Sequence, residues 1–384
     1  MAESPAVLTD QPMIGKSGTR LGQEEKIYVA SQWRLMWLHF KKHRLAVIGS
    51  ITIALLYAMA LFADFLGPYD KYEHFPAFIY MPPQQLHFFD GASFSLRPFV
   101  YGIIAKPDPA TFSRVFVEDK SKKYYVRFFV HGSQYNLMGL IPTDIHLFGV
   151  DEGGYVLLFG TDDIGRDLFS RVLAGSQISL SIGLVGVLIS FVLGAIMGGF
   201  SGYYGGIVDT LVQRMIELIT SIPTIPLWMG LTAAVPRDWP LIQTYFAITV
   251  ILALRGWCGI ARVVRGKLLE LREEDFVMAA RLSGTSDWNI ITGHLLPLLL
   301  SYLIVTLTLA IPEMIMAETA LSFLGLGLRP PAVSWGVLLQ LAQNVRTVST
   351  YAWLLIPAVF VFVTVLAFNF MGDGLRDAAD PYKL

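Results

Sequence analysis

The chain has 384 residues, 54% of them hydrophobic and only 15% charged, with a formal net charge of −1. A soluble domain of this length carries more charge, so this composition, with its mean hydropathy of +0.54, excludes one. The near-zero net charge predicts no nucleic-acid partner, and the single cysteine, Cys258, excludes an internal disulfide.

Residues 1–25 are polar, with scattered Gly, Pro and Ser, and read as a mobile tail. Gly15-Lys16-Ser17 looks like the end of a phosphate loop. That loop needs a glycine five positions earlier, where this chain has Asp10, so no nucleotide site is expected. In 26–44, Trp33, Trp37 and Phe40 recur at helical spacing with basic residues between them. The segment reads either as an amphipathic helix at the inner membrane face or as a plain extension of the first span. That span, Leu45–Leu66, ends in Asp64-Phe-Leu-Gly-Pro68 without a small-residue cleavage site, so it is not a cleaved signal peptide. Lys41, Lys42 and Arg44 precede it directly, with Arg34 and Lys26 upstream, which places the N-terminus in the cytoplasm.

Residues 68–159 form a long outer segment, and a segment of this length is not expected to be structureless. Val115–Val117 and Tyr124–Val130 flank Glu118–Lys123, and His146–Val150 and Tyr155–Phe159 flank Asp151-Glu-Gly-Gly154. Both read as β-hairpins of a small β-rich domain. The aromatic run Tyr72, Phe75, Phe78, Tyr80, Phe88, Phe89, Phe94, Phe99, Tyr101 suits sugar stacking or a small hydrophobic core equally well.

Five further apolar runs are long enough to cross a bilayer: Ile178–Phe200, Val208–Val235, Leu241–Val264, Leu295–Leu324 and Tyr351–Met371. Six spans return the C-terminus, with Arg376 and Lys383, to the cytoplasm. Before the second span lies Gly160-Thr-Asp162-Asp163-Ile-Gly165-Arg166-Asp167. Asp162, Asp163, Arg166 and Asp167 read as a cap with internal ion pairs. Thr161 or Asp162 would start the helix and Gly165 would turn the chain, with a role in outer gating as an addition. Ser190, Gly194, Gly198 and Gly202 flatten one face of the second span, for a subunit interface, a pathway wall or packing within the subunit. Pro223 and Pro226 predict a kink or hinge in the third.

The stretch Asp275–Leu298 joins the fourth and fifth spans and is too polar for lipid. Ala279 and Ala280 allow a close approach, Gly284 can end a helix in the left-handed conformation, and Ser286 or Asp287 can cap a second one. Pro297 then stands at the base of the next span. Arg262, Arg265, Lys267, Arg272 and Arg281 put this loop on the cytoplasmic side. Intramembrane acids are costly, which singles out Glu217, Glu313 and Glu318, with Arg255 as a possible partner. Glu318 would fix the following turn or contact substrate. The acids show no paired pattern, which disfavours proton coupling. No metal-spaced Cys/His cluster, His-Glu-x-x-His or Gly-x-Ser-x-Gly motif occurs, so a membrane enzyme has no visible catalytic set. His294 would anchor the base of its span.

The Ala279-Ala280-x3-Gly284 loop resembles the EAA loop of permease subunits in ATP-binding-cassette importers, although the family's usual acid before the alanines is Met278 here. The Gly160–Arg171 block, Gly175-Ser-Gln-Ile-Ser-Leu-Ser181, Leu321-Ser-Phe-Leu-Gly-Leu-Gly327 with Pro330-Pro331 and Ser334-Trp335-Gly336, and Gly372–Pro381 follow in the order of the C-type permease of oligopeptide and dipeptide importers. The resemblance covers 26–70 and 160–384. It implies an all-α polytopic membrane protein with six transmembrane helices of the type I importer fold; the small β-rich periplasmic insertion between the first and second helices lies outside it and is read from the strand patterns alone. The divisions are a cytoplasmic tail to 44, the first helix at 45–67, the insertion at 68–159 and a core at 160–384 with a coupling loop at 265–293. It further implies a second homologous permease, one or two ATPase subunits that bind the ATP and Mg, and a periplasmic or lipid-anchored solute-binding protein. The setting would be the cytoplasmic membrane of a bacterium or archaeon. Ala279, Ala280 and Gly284 match the coupling motif, and Asp275, Arg281 and Asp287 would pair with the ATPase surface. The insertion would recognise the binding protein, shield the pathway mouth or brace the subunits. This chain itself would hold no cofactor and no catalytic site. Peptides are the expected cargo, with oligosaccharides or other solutes as the alternative; a secondary carrier would work without ATPase partners.

Overall fold

The computed structural model describes residues 32–90, 93–107 and 114–379. The tail with Gly15-Lys16-Ser17, Lys26, the final Asp380-Pro381 and Lys383 lie outside the described residues. Helix α1 (Gln32–Lys42) leads into α2 (Arg44–Leu61) and the short α3 (Ala63–Leu66). Met36 and Phe40 are buried against the end of the last helix while Trp37 stays exposed, the one-sided pattern of an amphipathic segment.

Four antiparallel strands follow in the order β1 (His87–Asp90), β2 (Ser93–Pro107), β3 (Arg114–Leu137) and β4 (Ile141–Val150). The sheet corrects both expected hairpins. Glu118–Lys123 does not reverse the chain: β2 pairs with both of its flanks, Tyr101 with Lys123 and Gly102 with Asp119, so 120–122 bulge out of one long strand. The Asp119 carboxylate accepts the amide of Ser121 at 3.1 Å and so closes the bulge locally. His146–Val150 belongs to β4, which pairs with β3, and Tyr155–Phe159 is no strand. Its amides are taken up elsewhere: Val156 donates to the Tyr69 hydroxyl at 2.9 Å and Leu157 to Gln84 Oε1 at 3.1 Å. The β3–β4 reversal falls instead at Met138-Gly139-Leu140, between paired Leu137 and Ile141, with positive φ at Met138 and Gly139.

The remaining helices are α4 (Leu168–Tyr204), α5 (Gly206–Ser221), α6 (Thr224–Ala233), α7 (Leu241–Leu271), α8 (Asp275–Leu282), α9 (Asp287–Asn289), α10 (Leu296–Phe323), α11 (Trp335–Leu339), α12 (Val345–Thr350) and α13 (Ile356–Ala379). Among the described residues five helices are long and apolar enough to cross a membrane, and six if α5 and α6 count as one span. That pair is bent by 89°, more than a kink. Pro223 forces Ile222 into extended backbone, φ −82 and ψ 129, so α5 must stop there. Pro226 falls in the first turn of α6, where its missing N–H costs nothing.

Helix α4 is the central element, packed against α2, α7, α10 and α11. Its small-residue face lies on α7 of the same chain. Ser190 Oγ donates to the Ala253 carbonyl at 3.2 Å, and a Cβ at Gly194, Gly198 or Gly202 would strike the backbone of α7. Of the readings open for that face, the structure bears out packing within the subunit.

Candidate functional site

The loop between α7 and α10 is built from its sequence outward. Helix α7, about 46 Å long at 1.5 Å per residue, exceeds a hydrocarbon core of about 30 Å. Its charged residues are concentrated in its last turns, with Arg262, Arg265 and Lys267, so that end is the polar part of the helix. Helix α8 has Asp275 in its first turn and Arg281 in its last, both favourable to the helix dipole. Val277 is buried among Leu268, Ile290, Ile291 and Leu295, which pins the helix from below. Phe276, Met278 and Leu282 are exposed, Leu282 at 89%, and Trp288 beyond the turn is exposed with them. Ala279 is exposed and Ala280 half-buried.

Gly284 closes α8 at φ +78. Thr285 donates to the Ala280 carbonyl at 3.1 Å and Gly284 to that of Arg281 at 3.0 Å, the paired bonds of a glycine C-cap. A Cβ at 284 would meet nothing within 4 Å, so backbone conformation, and not space, demands glycine. Of the two expected caps for the second helix, Ser286 takes the role, accepting from the Asn289 amide at 3.4 Å.

Two tyrosines at the end of α4, unremarked in the sequence, hold this loop. The Tyr203 hydroxyl donates to Asp287 Oδ1 at 2.7 Å and accepts from Arg281 Nε at 3.1 Å. The Arg281 guanidinium lies over the Tyr203 ring at 4.9 Å. Tyr204 donates to the other oxygen of Asp287 at 3.1 Å. Arg281 and Asp287, expected to reach outward for a partner, thus already have partners in the loop's own scaffold. Asp275 is exposed and has no ion pair among the described residues. Nearby, Arg265 Nη2 donates to Asp209 at 2.6 Å and ties the start of α5 to α7. The only sequence signal for the tyrosines was their position, directly before Gly205-Gly206 at a span end.

At the opposite end of α4 the charged block is a cap, but not the one expected. Asp167, and neither Thr161 nor Asp162, is the N-cap, accepting from Ser170 N at 2.8 Å. Burial pushes its carboxyl up to about 6 in spite of those hydrogen bonds. Asp162 is buried and accepts from Arg166 Nε at 2.7 Å and from Arg171 Nη1 at 2.9 Å. Asp163 lies 3.6 Å from Arg166. Thr161 donates to the Phe78 carbonyl and accepts from Met81 N, and Gly165 turns the chain at φ +82. The ion pairs are internal, as read.

Glu318 is fully buried, and its carboxylate accepts from Ser334 Oγ at 2.7 Å, Ser322 Oγ at 2.8 Å and Ser179 Oγ at 3.2 Å. Each serine also accepts a backbone amide, of Val337, Leu328 and Trp335. One carboxylate thus fixes the turn after α10 against α4, the structural role of the two expected. Glu217 pairs with Arg214 at 2.6 Å and not with Arg255, which donates to the Ile222 carbonyl at 3.4 Å. Arg255 and the exposed Glu313 line an open groove of about 1560 Å³ with Arg262, Trp228, Thr220 and Tyr302.

A family model described as the binding-protein-dependent transport system inner membrane component matches residues 176–382, more than half of the chain. A second, described as the N-terminal TM domain of oligopeptide transport permease C, matches 31–83. A Brucella suis protein named provisionally as a peptide transport system permease is 45% identical over 226 residues, 58% of this chain and 73% of that protein. The dipeptide transport system permease protein DppC of Bacillus subtilis is 40% identical over 225 residues, 58% of this chain and 68% of that protein. Among solved structures, a chain of the MetNI methionine ABC transporter in an inward-facing conformation is 22% identical, with a TM-score of 0.42, over 54% of this chain and 96% of that one.

Proposed function

The chain belongs to the family of binding-protein-dependent transport system inner membrane components, and from that premise we propose that it forms half of the translocation pathway of an ATP-driven importer of oligopeptides or dipeptides. The observation that carries the coupling role is the α8–α9 loop. It presents Phe276, Met278, Leu282 and Trp288 outward while Tyr203, Tyr204 and Val277 hold it rigid from behind. An apolar and aromatic cluster on a fixed base is what a docking contact needs. A rigid loop transmits a rigid-body motion, and a loose one would absorb it. Closure of the ATPase subunits on ATP and Mg would then pull the loop, and through Tyr203 the inner end of α4, provided the two states of the ATPase grip it differently.

In this reading the termini and the α8–α9 loop face the cytoplasm, because Arg262, Arg265, Lys267, Arg272 and Arg281 cluster there. The ATPases hold the nucleotide, and this chain supplies neither a cofactor site nor a catalytic group. Its partners are a second, homologous permease, one or two ATPase subunits and a periplasmic or lipid-anchored solute-binding protein. The groove lined by Arg255 and Glu313 is its contribution to the pathway. Gentle solubilisation followed by mass spectrometry of the co-purifying subunits is the test. The chain should carry a second permease and ATPase subunits with it, and Leu282→Asp should release the ATPases alone. Undiminished ATPase retention by that variant would sink the docking assignment.

A further inference from the structure

We propose that the turn joining β3 to β4 enters the lipid interface of the outer leaflet, beside the first membrane helix. Turns are normally built from Gly, Pro, Asn, Asp and Ser. This one reads Leu137-Met-Gly-Leu-Ile141, with Leu140 82% and Ile141 59% exposed. No charged residue lies between His131 and Asp144. Five positive charges, Lys106, Arg114, Lys120, Lys122 and Lys123, lie on the half of the sheet nearer the β2–β3 connection, and the two charged groups nearest the β3–β4 turn, His131 and Asp144, pair with each other at 2.9 Å. By the antiparallel topology the β1–β2 connection lies toward the same end, and next to Asp90 it carries exposed Phe89 and Phe94 with ring centroids 5.2 Å apart.

The apolar end is also the end that meets the membrane helices. His146 Nδ1 lies 2.6 Å from the Gly67 carbonyl, directly after α3. The Phe129 and Phe65 rings are 6.3 Å apart, and Phe148 packs on Phe169 in the first turn of α4 at 5.8 Å. Helix α2 rises about 27 Å, close to the hydrocarbon thickness of about 30 Å, so α3 and Gly67 mark the outer boundary. Running along the membrane surface, the roughly 17 Å of strand from His146 to Ile141 carries the turn past α2 at interface depth. The outward face of α2 carries exposed Ile51, Leu55 and Leu61, a lipid-facing surface that Phe65 and Phe129 extend to the sheet.

The turn is chemically fit for that place. Buried backbone donors are costly in lipid, and here they are satisfied: Gly139 N donates to the Asn136 carbonyl and Leu140 N to that of Leu137, both at 3.0 Å. Tyr135, whose hydroxyl donates to the Ile145 carbonyl at 2.5 Å, supplies the amphipathic ring favoured at the headgroup level. The inference rests on α2 as a membrane span with its C-terminal end outward, and not on the coupling or the cargo.

The test uses the full chain in liposomes, with Cys258→Ser as background and a bimane label on Leu140→Cys; Lys122→Cys at the charged end is the control. The Leu140 label should emit blue-shifted, be quenched by nitroxide-bearing lipids and be protected from aqueous iodide, and the Lys122 label should behave in the opposite way. Iodide quenching equal at both positions overturns the proposal. So does a Leu140 label shielded from both quenchers, which would place the turn against protein; comparison with the assembled complex then tells whether that protein is a partner subunit.

Discussion

The Tyr203 hydroxyl, at the last turn of α4, stands 2.7 Å from Asp287 Oδ1, so the loop between α7 and α10 is tied to the central helix by a charge-assisted hydrogen bond. Tyr203→Phe keeps the ring under Arg281 and removes only the hydroxyl. The expected loss is about 1.5 kcal/mol of local stability. Hydrogen exchange of the 275–290 amides should quicken by about tenfold, since 1.4 kcal/mol is a factor of ten. Membrane insertion should be unchanged. Stimulation of ATP hydrolysis by loaded binding protein should fall. Unchanged exchange would mean that Val277 and its neighbours hold the loop without the tyrosine.

Gly284 gives a prediction with an internal order. Open space surrounds the missing Cβ, so the cost of a side chain is conformational, about 1–2 kcal/mol for a left-handed L-residue. Asn tolerates that region, Ala less and Val least. Coupled ATPase activity should therefore fall in the order Gly284→Asn, Gly284→Ala, Gly284→Val, with the protein still inserted. Equal loss in all three would point to a steric contact with a partner instead of backbone strain.

What the sequence made legible was local. Apolar runs marked the spans, Pro223 marked the break in the third, and Gly284 marked the end of a helix, because each signal is contained within a few residues. The severity of the α5–α6 bend was not legible, since Pro223 dictates extended backbone at Ile222 but not the angle at which α5 and α6 then pack on α7. Tyr203 and Asp287 are far apart along the chain, as are Glu318 and Ser179, and no periodicity links them. The expected hairpin at Glu118–Lys123 failed for the same reason. Its polar residues do turn locally, through Asp119 and Ser121, but β2 pairs across both sides and keeps the strand going. The cap of α4 was misplaced within a block of four eligible residues, where composition cannot choose; Thr161 is taken up by Phe78 and Met81 and Asp162 by Arg166 and Arg171, which leaves Asp167 to the first amides of α4.

Glu318 is the acid whose removal should harm the fold most. Ala at this position would leave three buried serine hydroxyls without their acceptor and open a cavity where α4, α10 and α11 meet. The expected cost is about 3 kcal/mol, read as a lower Tm of the solubilised chain. Glu318→Gln keeps one acceptor oxygen and should recover roughly half. If Glu318 contacts cargo instead, both variants will keep the Tm and alter selectivity.

Asp167 makes stability depend on pH in a defined direction. Its carboxyl is ordinarily half-protonated at 3.8, and burial at the start of α4 moves this to about 6. Between those values the folded chain holds a proton that the unfolded chain has lost, so stability falls as pH rises. The contribution is complete below about pH 4 and lost on passing about pH 6, with a ceiling of about 3 kcal/mol. Asp167→Asn keeps a good helix cap and has no proton to lose. The Tm of the native chain should therefore drop between pH 4 and 7 relative to that of Asp167→Asn, while Asp167→Ala should lie about 1 kcal/mol lower than Asn at every pH because the cap itself is gone. Parallel Tm curves for the native chain and Asp167→Asn would show that Asp167 ionises freely and that the cap is open to water.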